Sequence, residues 1–184
     1  MRPGLALLAA LGLPFGAALV AFSTARPVVE ARFPVRRAHP PELHDLAAME
    51  HGPAVAASSY DAAAQHHPAF LVDRRARPTP LERWSSDPGD RHPWVEIAWG
   101  EPHQLSEIVV VHASALMGGV PLARYDIACL RGRSRAATLA VAGNALPAAR
   151  HPIRCPEATG IRLDLVPGPG AAAVSILEIE AWGR

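Results

Sequence analysis

The chain contains no lysine, a single asparagine and few aromatic residues, so what it lacks already limits what it can do. All 18 basic residues are arginine, and 17 acidic residues leave a formal charge of +1 over 184 residues. From Asp45 onward the acidic residues outnumber the arginines. Nucleic acids are bound through clustered positive charge that neutralises phosphates. The sequence therefore predicts no nucleic-acid partner.

Large apolar side chains are scarce as well. Hydrophobic residues make up 49% of the chain, but 36 of them are alanine. The remainder suffices for one core and not for two of any size. We therefore expect a single domain with an N-terminal appendage.

Motifs of common catalytic and cofactor sites are missing from the sequence. It has no His-Glu-x-x-His, Cys-x-x-Cys, Gly-x-Gly-x-x-Gly or P-loop pattern, and its nine histidines are scattered. These absences favour a protein that is not an enzyme. A hydrolase whose catalytic residues no motif reveals remains a minor alternative.

The N-terminus has the pattern of an export segment. Residues 4–22 carry no charge, Arg2 precedes them, and the small-x-small triplet of residues 23–25 follows. Residues 1–25 are therefore interpreted as a signal peptide or, alternatively, as an uncleaved membrane anchor. Either interpretation predicts an exported domain, periplasmic or extracellular, with membrane contact only through this segment. The proline- and arginine-rich residues 26–46 are expected to form a tether.

Export changes the interpretation of the two cysteines. Cys129 and Cys155 form an even pair, which in an oxidising compartment favours a disulfide. The alternative is two buried thiols that act as small apolar residues.

From about residue 47 the pattern is one of strands. Apolar residues alternate, or run continuously with β-branched side chains, in five segments: 94–99, 108–111, 125–130, 161–165 and 175–180. Glycine- and proline-containing turns separate them, and no long amphipathic helix is present. Residues 47–184 are therefore predicted to form an all-β antiparallel sandwich.

Several of these segments resemble the discoidin family, also called coagulation factor 5/8 type C domains. The matching segments occur in the family's order: Ala54–Ser59, Phe70–Asp73, Arg83–Ser86, Trp94–Pro102, Tyr125–Ile127, His151–Leu165 and Ile176–Gly183. The resemblance implies a jelly-roll sandwich of the galactose-binding-domain type. It also implies a non-catalytic module that binds a glycan or another cell-surface polymer.

The resemblance further implies a structural calcium ion. Asp73 matches the family's acidic turn residue, Thr79 its hydroxyl and carbonyl donor, and Glu178 the first glutamate of its closing strand. Calcium prefers such oxygen ligands. However, Arg74 stands where the family has a glycine, and Glu178 could equally lie on a solvated strand face.

The expected ligand residues are Trp84, His66, Asp87 and His92, which lie near the predicted loops. Trp84 could stack on a sugar ring or belong to the core. The arginine and asparagine that grip the sugar in family members are missing from the loop after the 108–111 strand. That loop, 113–122, is apolar, which favours a second hypothesis: an envelope-tethered module that binds a partner protein and no small molecule.

Overall fold

The computed structural model describes residues 39–75, 81–114 and 121–184. Eight strands lie within these residues, each pairing antiparallel with its neighbours: β1 (His44–Asp45), β2 (Ala54–Ala57), β3 (Trp84–Ser85), β4 (Trp94–His112), β5 (Arg124–Arg131), β6 (Ser134–Ala142), β7 (Ala148–Leu165) and β8 (Ser175–Gly183). Short 3-10 helices span Met49–His51 and Pro68–Leu71. The hydrogen-bonded order is β1-β8-β4-β7-β5-β6, with β2 on β4 and β3 on β8. The predicted all-β class is thus confirmed.

Two long strands, β4 and β7, each belong to both layers of the sandwich. Residues 94–98 of β4 pair with β2 and with the second half of β7, whereas residues 105–112 pair with β8 and the first half of β7. Between these halves, the register jumps from Ala98↔Gly160 to His103↔Ala158. The two strands therefore turn together from one layer into the other, and we call this turn the corner end.

The corner end requires glycine at one position of β7. A Cβ atom added to Gly160 would lie 2.7 Å from the carbonyl oxygen of Ile97 and 3.1 Å from the Cα of Ala98. Since contacts this short do not occur between real side chains and backbone, any other residue would push the strands apart. Cys129 of β5 and Cys155 of β7 are joined near this turn by a disulfide, so of the two alternatives for the cysteines the structure shows the bridge. Closing a loop of this length typically stabilises a fold by about 3 kcal/mol.

At the opposite end, the loops converge. The indole Nε1 of Trp84 donates to the Ser59 carbonyl at 3.0 Å, the Asp61 amide donates to Ser85 at 2.9 Å, and the Leu165 amide donates to Pro93 at 2.9 Å. We call this the loop end, and it contains residues 58–67, 86–93, 143–147 and 166–174. The apolar loop 115–120 lies outside the described residues.

The domain begins earlier than the sequence pattern predicts. His44–Asp45 pair with β8, and Leu46 is buried in the core, so the predicted tether does not extend to residue 46. His39 also packs on the domain: its ring stacks on Trp182 at 3.6 Å and its Nε2 lies 2.8 Å from Glu107. The predicted export segment 1–25 and the predicted tether residues before 39 lie outside the described residues. Within the described part, no helix is long and apolar enough to cross a membrane.

The sequence pattern also fails to predict β6. Its inward positions, Ala137, Leu139 and Val141, are only partly buried, and alanine weakens the alternation on which strand prediction depends. The Gly132 turn before it has a φ of 55°, a left-handed conformation that glycine adopts without strain. The turn at Gly132 therefore forms a hairpin between β5 and the edge strand β6.

Candidate functional site

Trp84, the first expected ligand residue, is a core residue. Its side chain is fully buried, and its only polar group, Nε1, is bonded to Ser59. β3 is two residues long and packs on β8, so the indole points between the layers. The expectation that Trp84 stacks on a sugar ring is therefore wrong.

His66 is also buried, contrary to its expected role in binding. It is only 5% exposed, its amide donates to the Asp61 carbonyl at 3.1 Å, and its Nδ1 lies 3.8 Å from the Asp61 carboxylate. The imidazole thus supports the loop from within. The adjacent His67 is exposed, and its Nδ1 accepts the amide hydrogen of Ala69 at 3.1 Å.

Asp87 and His92, the other two expected residues, are exposed at the loop end. The Asp87 carboxylate accepts the Gly89 amide at 2.7 Å, and its own amide donates to the Ser59 hydroxyl at 3.1 Å. His92 is exposed in the same loop, where its amide donates to Asp90 at 3.0 Å. Both residues are therefore accessible to a ligand.

Asp90 lies between them and organises the loops. Its carboxylate accepts the hydroxyls of Ser58 and Ser59 at 2.5 and 2.6 Å and the amide of His92 at 3.0 Å. Burial opposes ionisation, but the hydrogen bonds from Ser58 and Ser59 outweigh it and lower the pKa of Asp90 below its usual value. Asp90 is therefore a charged anchor for the two loops.

Tyr60 is the aromatic residue that the sequence interpretation missed. Its side chain is 42% exposed, and its ring meets His67 edge-on at 5.3 Å. It follows the serines that bind Asp90, so its backbone is held beside the 86–93 loop. We call the exposed set formed by Tyr60, His67, Asp87 and His92 the Tyr60 surface. The only sequence signal for it was an aromatic residue in the polar stretch after β2.

A buried polar chain supports the loop end from below. The hydroxyl of Tyr125 lies 2.7 Å from His151 Nε2, the His112 ring packs against Tyr125, and the Asn144 amide nitrogen lies 3.2 Å from His112 Nε2. Asn144 also donates to the carbonyls of Leu122 and Leu146 at 3.1 Å each. The chain's single asparagine therefore holds two loops together instead of facing a ligand.

The buried chain is uncharged near neutral pH. Burial, with a contribution from His151, lowers the pKa of His112 to about 4. Burial also lowers the pKa of His151, against the attraction of Glu107, and raises the pKa of Tyr125 to about 12. Charging either imidazole inside the sandwich is unfavourable because the interior solvates charge poorly.

Two of the expected calcium ligands, the half-buried Asp73 and the buried Glu178, lie in an acidic cluster that also contains Asp45 and Glu180. Glu178 is 1% exposed, and the 71–75 turn contacts it through the Arg74 amide. Burial raises the pKa of Glu178 to about 9, and the negative charges of Asp73, Glu180 and Asp45 add to the shift. Its Oε1 accepts the Arg74 amide at 3.1 Å, whereas its Oε2 has no hydrogen-bond partner among the described residues.

Arg74 occupies the turn in the conformation that a glycine would favour. Its φ is 57°, a left-handed conformation that favours glycine, and its amide donates to Glu178. Its side chain lies 2.7 Å from Glu50 and 3.9 Å from Asp45. Thr79, the third expected ligand, lies outside the described residues. Within the described ranges, no three His, Cys, Asp or Glu side chains form a group that could by themselves hold a metal ion.

Comparison with known proteins supports the fold. No protein-family model matches the chain, and no curated protein matches it in sequence. A fucose-binding module from Streptococcus pneumoniae has a TM-score of 0.65 at 14% identity, over 80% of this chain and 100% of that module. The family 32 carbohydrate-binding module of C. perfringens NanJ, solved with galactose, has a TM-score of 0.56 at 18% identity, over 76% and 98% of the two chains.

An enzyme shares the fold as well. Allantoicase from Saccharomyces cerevisiae has a TM-score of 0.58 at 18% identity, over 80% of this chain but only 45% of the enzyme. At such identities the similarity shows the fold alone. The chain therefore has a galactose-binding-like β-sandwich, as the sequence resemblance implies.

The buried His112 makes the stability of the domain depend on pH. The folded protein holds this imidazole neutral down to about pH 4, whereas the unfolded chain protonates it below its ordinary value of 6.5. Its stabilising contribution is therefore complete above pH 6.5 and is lost as the pH falls toward 4, an effect of about 3 kcal/mol. Urea unfolding of the wild type and of His112→Gln between pH 6.5 and pH 4 measures this contribution to the free energy of unfolding.

The free energy of unfolding must be compared between wild type and His112→Gln at each pH. The raised pKa values of Asp45 and Glu178 increase the stability of both proteins as the pH falls, which opposes the effect of His112. We expect the advantage of the wild type over His112→Gln to shrink as the pH falls. His92→Gln, at an exposed histidine, is the control. An advantage that does not change with pH would contradict the burial of a neutral His112.

Proposed function

We propose that the protein is a non-catalytic glycan-binding module of the discoidin type, and that the Tyr60 surface is its binding site. The observation that carries the proposal is an exposed aromatic ring beside exposed imidazole and carboxylate groups at the loop end. An aromatic ring packs on the apolar face of a sugar, and the polar groups exchange hydrogen bonds with its hydroxyls. The fucose-binding and galactose-bound modules that share the fold support this ligand class.

The state of the loop-end acids favours binding over hydrolysis. A glycosidase needs one carboxyl group whose pKa is raised, so that it can act as a general acid. Asp90 has a lowered pKa and is fully engaged with Ser58, Ser59 and the His92 amide. Asp90 therefore does not suit the role of the general acid that the hydrolase alternative requires.

We also propose that the protein acts outside the cytoplasm, on a glycan or polymer of the cell surface. The uncharged segment 4–22 supports export, whether it is cleaved or remains as an anchor. The Cys129–Cys155 disulfide supports an oxidising compartment, because such bonds persist there and are rare in the cytosol.

A second candidate is binding of an envelope protein at the same end. Leu146 and Val166 are 60% and 47% exposed at the loop end, and apolar side chains of this kind suit a protein contact. This candidate predicts no glycan binding at all. It would be favoured if cross-linking in cells captured one envelope protein and a Leu146→Ser, Val166→Ser variant lost that capture.

Replacing Tyr60 tests the glycan proposal. Tyr60→Ala removes the stacking face and is expected to weaken binding at least tenfold, whereas Tyr60→Phe keeps the ring and most of the affinity. A glycan array identifies the sugar, and calorimetry with that sugar measures the affinity of each variant. Met49→Ala, at an exposed residue outside the loop end, is the control. Unchanged affinity in Tyr60→Ala would exclude the Tyr60 surface.

We further propose that the acidic cluster holds a structural calcium ion through Asp73 and Glu178, with Thr79, which lies outside the described residues, as a further ligand. The buried Oε2 of Glu178, without a partner among the described residues, fits a hard cation, which would also offset the repulsion between neighbouring carboxylates. Such an ion would tie Asp73 to β8. It would stabilise the fold and take no part in sugar chemistry.

Calcium is therefore expected to stabilise the protein against unfolding. At a concentration about 100 times its dissociation constant, the gain is about 2.7 kcal/mol, measured by thermal or urea unfolding with CaCl2 or with chelator. Glu178→Gln should abolish the gain, and Glu157→Gln, at an exposed carboxylate, should keep it. Arg74→Gly removes a positive charge beside the cluster at a φ that suits glycine, and should increase the gain. No stabilisation of either the wild type or Arg74→Gly would contradict the calcium proposal.

A further inference from the structure

A cleft of about 410 Å³ opens at the corner end, away from the Tyr60 surface. β4 contributes Trp99, Gly100, Glu101 and His103 to its lining, and the remaining lining residues are His44, Leu46, His51 and Arg184. Ligand pockets for small molecules typically measure about 300–1,000 Å³. The cleft is therefore large enough for a short saccharide.

The floor of the cleft is apolar and rigid. Trp99 is 7% exposed and Leu46 is 6% exposed, so each is packed in the core and shows only part of its surface to the cleft. The Trp99 Nε1 donates to the Ala158 carbonyl at 2.7 Å, which fixes the indole plane. The small apolar surface that these two side chains leave open can contact the C–H groups of a sugar ring.

The rim of the cleft is polar and has free hydrogen-bonding capacity. His44 and Glu101 are exposed and His103 is half-buried, and none of their three side chains forms a hydrogen bond or ion pair within the described residues. Imidazole both donates and accepts, and a carboxylate accepts from two hydroxyls. Arg184 also lines the cleft, and its guanidinium group, whose Nε donates to the Gln104 side chain at 3.1 Å, adds further donors.

The mixture of groups favours a neutral polyhydroxylated ligand over an ion. A metal would need three ligands around one point, and the described His, Cys, Asp and Glu side chains form no such group. An anion would face the Glu101 carboxylate, and a cation would face Arg184. Hydroxyl groups can pair with all of these side chains at once.

We propose that this corner-end cleft is a second saccharide-binding site, separate from the Tyr60 surface. The proposal rests on the proposed function only for the class of ligand, since the two sites share no residue. Two sites at opposite ends would let one module contact two sugar units of a polymer or of neighbouring chains, which raises avidity without further affinity at either site.

Gly100 offers a way to block the cleft without disturbing the fold. A Cβ added at Gly100 meets nothing within 4 Å, and its φ is not in the left-handed region. Gly100→Phe should therefore fold and fill the cleft. Gly168→Phe is the matched control, because Gly168 has the same open surroundings but lies at the loop end, outside the cleft.

The test is an NMR titration of the full exported protein with galactose, fucose, N-acetylglucosamine and their disaccharides. Backbone amide shifts of Leu46 and His103 report on the cleft, and those of Tyr60 and Gly89 report on the loop end. We expect both sets to shift with at least one sugar. Gly100→Phe should weaken the response of the cleft set at least tenfold and leave the loop-end set unchanged, whereas Tyr60→Ala should do the reverse.

The two proposals fail in different ways. Shifts confined to the loop end, or cleft shifts that persist in Gly100→Phe, would overturn the cleft site and leave the proposed function standing. Shifts confined to the cleft would overturn the Tyr60 surface, and no shift in either set would overturn both sites. His103→Ala, which removes a half-buried imidazole from the rim, provides a second variant that should weaken the cleft response and keeps the test decisive if Gly100→Phe does not fold.

Discussion

The close passage of β4 against β7 at the corner end is the constraint on which the rest of the structure depends. Gly160 lies so near the Ile97 carbonyl that no side chain fits between the strands. This approach lets the two strands turn together and pair in both layers, and the Cys129–Cys155 bridge ties β5 to the same turn. Both halves of β4 extend from this turn to the opposite end of the sandwich, so the loop before β4 and the loop after it meet there. The loop end, the corner-end cleft and the core between them thus follow from one turn.

The interior combines few large apolar residues with several buried polar ones. Trp84 fills the space between the layers, and the chain of His112, Tyr125 and His151 crosses it with satisfied contacts on most of its polar atoms. These groups have structural roles, so the proposed binding surfaces consist of residues that do not belong to the core. Tyr60 and the rim of the cleft are such residues.

Much of the fold could be predicted from alternation of apolar residues, but the site could not. The 125–130 and 161–165 patterns predict real strands because each has one face in the core. Trp84 and Tyr60 show the limit of sequence-based prediction, because both are aromatic residues next to loops. Trp84 is buried because β3 packs on β8, whereas Tyr60 is exposed, and the sequence alone does not distinguish them. Adjacent His66 and His67 must point apart, yet which of them faces solvent depends on the contact with Asp61. Arg74 likewise obscures a turn, since its φ of 57° lies in the left-handed region that favours glycine.

We propose that this sandwich binds sugar through surfaces outside its core. A crystal structure of the protein soaked with the best sugar from the glycan array shows which surface holds the ligand. We expect a sugar ring packed against Tyr60, with hydroxyls bonded to Asp87 or His92, and the Trp84 ring still enclosed between the layers. Clear density for the sugar only at residues outside both the Tyr60 surface and the corner-end cleft, or a Trp84 ring turned out to meet the sugar, would contradict the proposed binding sites.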